Sequence, residues 1–242
     1  MHRCLVGLVV CFFIVVGNAT AEATVDSKPV VVPVLPCKTE FGVEGTIVPW
    51  APSNLPVALS KQVAARLSFY SNGFLTVLAP KGWACTGTVG ASGGVLLSVF
   101  PPGQADPNAT LTTPSNAAAV VGETDYTGHR PGAQTVCDLF PGTPAYSFGS
   151  DVGGCPTPPK RQRSEHATAD VVTFFDPPHV KGSGYQSGGT NPASGVVIYP
   201  QIIPDPGSVN VAKETCTLPR RTRPLCATII ADFTIRAFPA QP

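Results

Sequence analysis

The sequence predicts an α+β fold: a β-rich single domain, built as an antiparallel meander with one or two packing helices and stapled by disulfides. Three observations carry this expectation. Apolar residues make up 43% of 242, enough for a buried core, while 24 Gly and 27 Pro punctuate the chain into short segments joined by turns. Six cysteines remain beyond an N-terminal leader, an even count that reads as three bridges in an exported chain. Helical periodicity is clear in only two places, and the other apolar runs are of strand length.

The chain starts with Met1-His2-Arg3, then 13 apolar residues from Cys4 to Val16, then Gly17-Asn18-Ala19-Thr20-Ala21. This is the pattern of a signal peptide over residues 1–21, with Ala19-x-Ala21 before the cut. As a helix the apolar run reaches about 20 Å, short of the ~30 Å hydrocarbon core, so it does not predict a membrane anchor. Residues 22–36 hold three prolines and no regular period, and read as an extended tether. The globular domain is expected over 37–238.

Within it, Leu59, Val63, Leu67 and Tyr70 recur at helical spacing with Ser60 available as N-cap, predicting about three turns of amphipathic helix. The competing reading makes Arg66–Ser71 a strand and Asn72-Gly73 a hairpin turn. Phe74–Ala79, Ala84–Val89 and Val95–Phe100 read as three strands of a meander. Residues 101–135 read as a long surface excursion containing the sequon Asn108-Ala109-Thr110, and Lys160-Arg161-Gln162-Arg163 as an exposed charged loop. Val171–Phe175 and Gly195–Tyr199 are further strands. Pro224 opens the clearest helix, with Leu225, Ile229 and Phe233 toward the meander, and Asp232 and Arg236 as an exposed i, i+4 pair on the other side.

Cys37, Cys85, Cys137, Cys155, Cys216 and Cys226 allow 15 connectivities. Proximity in sequence favours Cys216–Cys226 and Cys137–Cys155, which leaves Cys37–Cys85. No pair is spaced C-x-x-C and no His adjoins a Cys, so neither a redox dithiol nor a zinc site is expected.

For chemistry, Gly90-Ala91-Ser92-Gly93-Gly94 matches the G-x-S-x-G of a nucleophile elbow. A strand-like run follows where a helix is needed, and no His precedes Ser92 outside the leader, so a glycine-rich turn is expected. His166, Asp170 or Asp176, and Ser187 have the order of a trypsin-like triad and remain the alternative catalytic set, beside an unidentified carboxylate pair. Trp83 follows a turn and reads either as packing against a disulfide or as a ligand-facing platform. No motif implies a cofactor. With 16 basic and 15 acidic residues, the chain has no electrostatic footprint for nucleic acid.

The stretch Leu78-Ala79-Pro80-Lys81-Gly82-Trp83-x-Cys85-x-Gly87 resembles a box found in exported proteins of actinobacteria. Phe175-Asp176-Pro177-Pro178, Gly182-x-Gly184, Ser187-Gly188-Gly189, Asn191-Pro192-Ala193 and Cys216-Thr217-Leu218-Pro219 are similar to the other half of such proteins. That family is uncharacterised, so the resemblance implies export and paired cysteines and no activity. The function expected is that of an exported, non-enzymatic protein that binds an envelope or extracellular partner. The alternative is a secreted hydrolase.

Overall fold

The computed structural model describes residues 28–42, 45–91, 93–107, 117–125, 139–140, 160–200 and 211–237. The leader, Ser92, the sequon, Cys137 and Cys155 lie outside them. The smaller of two sheets begins with β1 (Val30–Pro36) and has the order β4 (Asn54–Val57), β1, β5 (Leu67–Ser71), β6 (Thr76–Pro80). The second half of the expected tether is therefore a strand. Val32 and Val34 point inward and are buried. Its prolines hid it, since proline demotes a run from strand interiors. They are tolerated because Val30–Pro33 pair only with β4 and Val34–Pro36 only with β5, so each half is an edge on one side.

The helix expected through Tyr70 stops after one turn. α1 is Lys61–Ala64, capped by Ser60, whose Oγ accepts from the Val63 N–H at 3.3 Å. Leu67–Ser71 takes the competing course and becomes β5, with every residue buried between β1 and β6. A strand wrapped on both sides needs no alternation, so its apolar spacing matched a helix by chance. Asn72 makes the β5–β6 turn by accepting the Phe74 and Leu75 N–H groups on Oδ1.

Nine strands form the larger sheet, in the order β10 (Arg163–His166), β11 (Val171–Asp176), β12 (Ala193–Ile198), β13 (Val211–Thr217), β9 (Ala119–Asp125), β8 (Val95–Phe100), β7 (Ala84–Val89), β2 (Lys38–Phe41), β3 (Gly45–Ile47). The expected meander is thus divided: β7 and β8 pair here, while β6 pairs with β5 in the other sheet. Residues 119–125, expected on the surface, form a strand near the sheet centre between β8 and β13. Ala119, Val120 and Val121 are buried in succession, so no alternation marks the first half of the strand. Gly122 is required there. A Cβ on it would stand 2.7 Å from the Val77 side chain, where β6 crosses the sheet.

Among the described residues, two disulfides staple this β-rich fold. Cys37, where the chain passes from β1 to β2, is bonded to Cys85 of β7, and Cys216 of β13 to Cys226. Both match the expected pairing. In the chain-entropy picture, spans of 48 and 10 residues correspond to about 4 and about 3 kcal/mol.

The final helix, α2 (Leu225–Ala237), buries Leu225, Ile229 and Phe233 as expected. Its floor is β13, β12 and β6, rather than the whole predicted meander. One face of the large sheet supplies Val95, Leu97, Val99, Val120, Val196, Ile198 and Ala212 to a cluster shared with β1, β5, β6 and α2. On the opposite face Val172, Phe174, Val197, Tyr199 and Val211 form a second cluster under Leu139 and Phe140.

Asp232 departs from expectation. It does pair with Arg236, at 2.9 Å, but it is buried rather than solvated. Arg236 reaches past it to the Pro56 carbonyl at 2.6 Å and lies over the Phe69 ring, tying α2 to the small sheet. Facing Asp232 from β13 is Glu214, fully buried, with neither carboxylate oxygen hydrogen-bonded. Burial pushes the Glu214 carboxyl well above its usual value, and the charge of Asp232 adds to this. Burial also raises Asp232, opposed by Arg236.

Candidate functional site

The proposed catalytic set does not converge. His166 ends β10 opposite Val172 and meets Phe140 edge-on, with ring centroids 5.8 Å apart. Ser187 belongs to a loop anchored at the other end of β11, four residues or about 13 Å further along the strand. Its hydroxyl is used locally, accepting from the Gly182 N–H at 3.0 Å and donating to the Gly182 carbonyl at 3.2 Å. Asp170 stands just before β11, its carbonyl accepting the Tyr199 N–H.

Asp176 organises that loop and takes no part in a triad. It is fully buried and accepts the Gly184 N–H at 2.6 Å. A methyl group on Gly182 would collide with its carboxylate, and one on Gly184 would come within 2.8 Å of Oδ2. The Asp-Pro-Pro and Gly-x-Gly pattern is therefore a carboxylate wrapped by its own loop, and the glycines are there to let the backbone approach. A carboxylate pair that sequence could not single out is Glu214 of β13 with Asp232 of α2, but both are buried in the core.

Trp83 is half-buried and packs against the main core; its backbone N–H donates to the Tyr70 hydroxyl at 2.9 Å, and that hydroxyl donates to the Pro80 carbonyl. This is a packed tryptophan behind a turn. Trp50, not singled out from the sequence, is the exposed one at 84%. The Lys160–Arg163 cluster is split between a turn and the edge strand β10, where the Arg163 guanidinium lies over Phe175.

Two concavities stand out among the described residues. A basin of about 470 Å³ on β2, β3 and β7 is lined by Lys38, Glu40, Thr46, Thr86, Thr88 and Asp106. Its polar groups already serve one another, as in the 2.6 Å bond from Thr86 Oγ1 to Asp106 Oδ2. The other is an open groove of about 680 Å³, floored by Val171 and Thr173 of β11 and walled by Ala227, Ile230, Ala231 and Ile235 of α2. It exists because α2 lies over β12 and β13 and leaves β11 uncovered. Its volume is that of a small-ligand site, and its wall is apolar with a few polar groups: Ser194, Thr234 and, at one end, Arg223. Ile235, which lines the groove, is 73% exposed.

No sequence signal pointed to this groove. Ala227, Ala231 and Ile235 follow at i, i+4 and i+8, a second apolar stripe on the helix beside the buried one, and that repeat is the mark that could have found it. Among the described residues no helix is long and apolar enough to cross a membrane, and no group of three or more His, Cys, Asp or Glu is placed to hold a metal ion. No protein family, curated protein or solved structure matches the chain.

Proposed function

We propose that the chain is an exported, non-catalytic binding protein that holds an apolar ligand in the groove between α2 and β11. The observation that carries this reading is the groove itself: about 680 Å³ of apolar, open concavity on a disulfide-stapled scaffold. Export is supported by the signal-peptide pattern at residues 1–21, by the bridges, which persist in oxidising compartments, and by the resemblance of the Leu78–Gly87 box to exported proteins. A binding role is favoured over hydrolysis because His166, Asp170 and Ser187 sit at different places around β11 and each has a local structural task.

An uncharged apolar dye, N-phenyl-1-naphthylamine, provides the test. Its fluorescence should rise on titration into the purified protein and saturate near one dye per chain. Ala231→Trp, at an exposed helix position, fills the groove without touching the core. It should abolish the rise while leaving the thermal transition in place. Equal dye binding by the variant and the parent would remove the groove from the account.

A further inference from the structure

The groove has a chemically distinct end. Three arginines, Arg220, Arg221 and Arg223, fall within four residues of the turn that leads into α2. The ion pairs among the described residues are Lys213–Glu123 and Arg236–Asp232, so none of the three has a carboxylate partner among those residues. Arg220 and Arg221 are exposed. Arg223 lines the groove, and its Nε is buried with no hydrogen-bond acceptor. A guanidinium N–H withdrawn from water with nothing to receive it is costly, and a turn of the Arg223 side chain toward an anion in the groove would relieve that cost. The positive end of the α2 dipole points to the same place, and the first turn carries no acidic residue to offset it. From Arg223 the apolar wall continues along the helix to Ile235, about 18 Å at 1.5 Å per residue.

Resting on the binding reading above, we propose that the ligand is a single-chain amphiphile with an anionic head. The head sits at the Arg220–Arg223 turn and the chain lies along Ala227, Ala231 and Ile235 over Val171. Charge at one end and apolar surface along the rest fit that class better than an uncharged apolar molecule, which would use the apolar wall alone. The protein as a whole is near neutral, with 16 basic and 15 acidic residues, so this is a local site and not a generally cationic surface. Fatty acid in solution and the acyl chains of an anionic bilayer share this chemistry. The proposal commits to the monomeric amphiphile, because the groove is lined on two sides by helix and sheet.

Displacement of the bound dye tests it, with decanoate and decanol as competitors of equal chain length. Decanoate should displace the dye at a concentration at least tenfold lower than decanol. Raising the salt from low to high ionic strength should narrow the gap, because the head contact lies near the surface. The triple variant Arg220→Gln, Arg221→Gln, Arg223→Gln should erase the preference and leave decanol unchanged, and Ala231→Trp should block both. Equal displacement by the two competitors overturns the anionic head but leaves the binding reading intact. Absence of any dye binding overturns both. Sedimentation with phosphatidylglycerol vesicles without displacement by monomeric decanoate would make the site a bilayer contact and overturn the proposal. So would self-association that Ala231→Trp dissolves, since the groove would then be covered by a second copy. Should the triple variant fold poorly, the decanoate-to-decanol ratio and its salt dependence in the parent protein decide alone.

Discussion

Glu214→Gln stabilises the protein, and the gain grows with pH. Burial, aided by Asp232, raises the Glu214 carboxyl well above the ordinary value of 4.5 and so favours its protonated form in the fold. Below that ordinary value both folded and unfolded chains carry the proton, and the group contributes no pH dependence. Above it the unfolded chain ionises while the folded one does not, so folding is disfavoured by about 1.4 kcal/mol for each pH unit until the raised folded value is reached. Asp232 shifts in the same direction and adds to the slope, restrained by Arg236. Glutamine has nearly the same shape and no proton to lose. Urea midpoints for parent and variant should therefore agree near pH 4 and diverge steadily through pH 7, the variant being the more stable. A constant difference across that range would show that Glu214 is ionised in the fold.

Phe233→Ala should cost about 3–5 kcal/mol, as truncation of buried aromatics does. Phe233 is 1% exposed and enters the main cluster from α2. It packs where Leu75 and Val77 converge on Gly122, so nothing short of moving a helix against two sheets can refill its space. Chemical denaturation with an unchanged slope and a lowered midpoint is the expected record. A loss below about 1 kcal/mol would mean that α2 is not part of the cooperative core. That outcome would also undermine the groove, because α2 forms its wall.

Turn residues bound β7, β8, β11 and β12 on both sides, and the expected ranges match the observed ones to within two residues. α2 was recognised by its period and its proline, and the Cys216–Cys226 bridge by proximity. β1 was missed because proline argues against strands, and only the split pairing with β4 and β5 makes it permissible. β5 and β9 were missed for a different reason: a strand buried on both faces has no period to read. Asp232 looked solvated because its spacing to Arg236 suits a surface pair; that Glu214 lies beneath it depends on β13, a strand the sequence reading did not anticipate.

The groove was less legible than the fold. It is the space left uncovered where α2 lies over β12 and β13 instead of β11, an outcome of three-dimensional placement that no local pattern encodes. Its parts were visible separately. Arg220-Arg221-Thr222-Arg223 is as dense a charge run as Lys160–Arg163, and Ala227, Ala231 and Ile235 repeat every turn. The sequence drew attention to Ser187 and Asp176 instead, because Gly, Ser and Asp in a short compass suggest chemistry. Here they build a loop around a buried carboxylate.

The most direct test of the account is to let a ligand mark its own site. A fatty acid carrying a diazirine at the end of its chain, photolysed on the intact protein and mapped by mass spectrometry, should label residues between Ala227 and Ile235 of α2 and between Val171 and Thr173 of β11. Labelling should disappear with excess decanoate. Labels concentrated elsewhere, for example around the exposed Trp50, would contradict the assignment of the groove as the binding site.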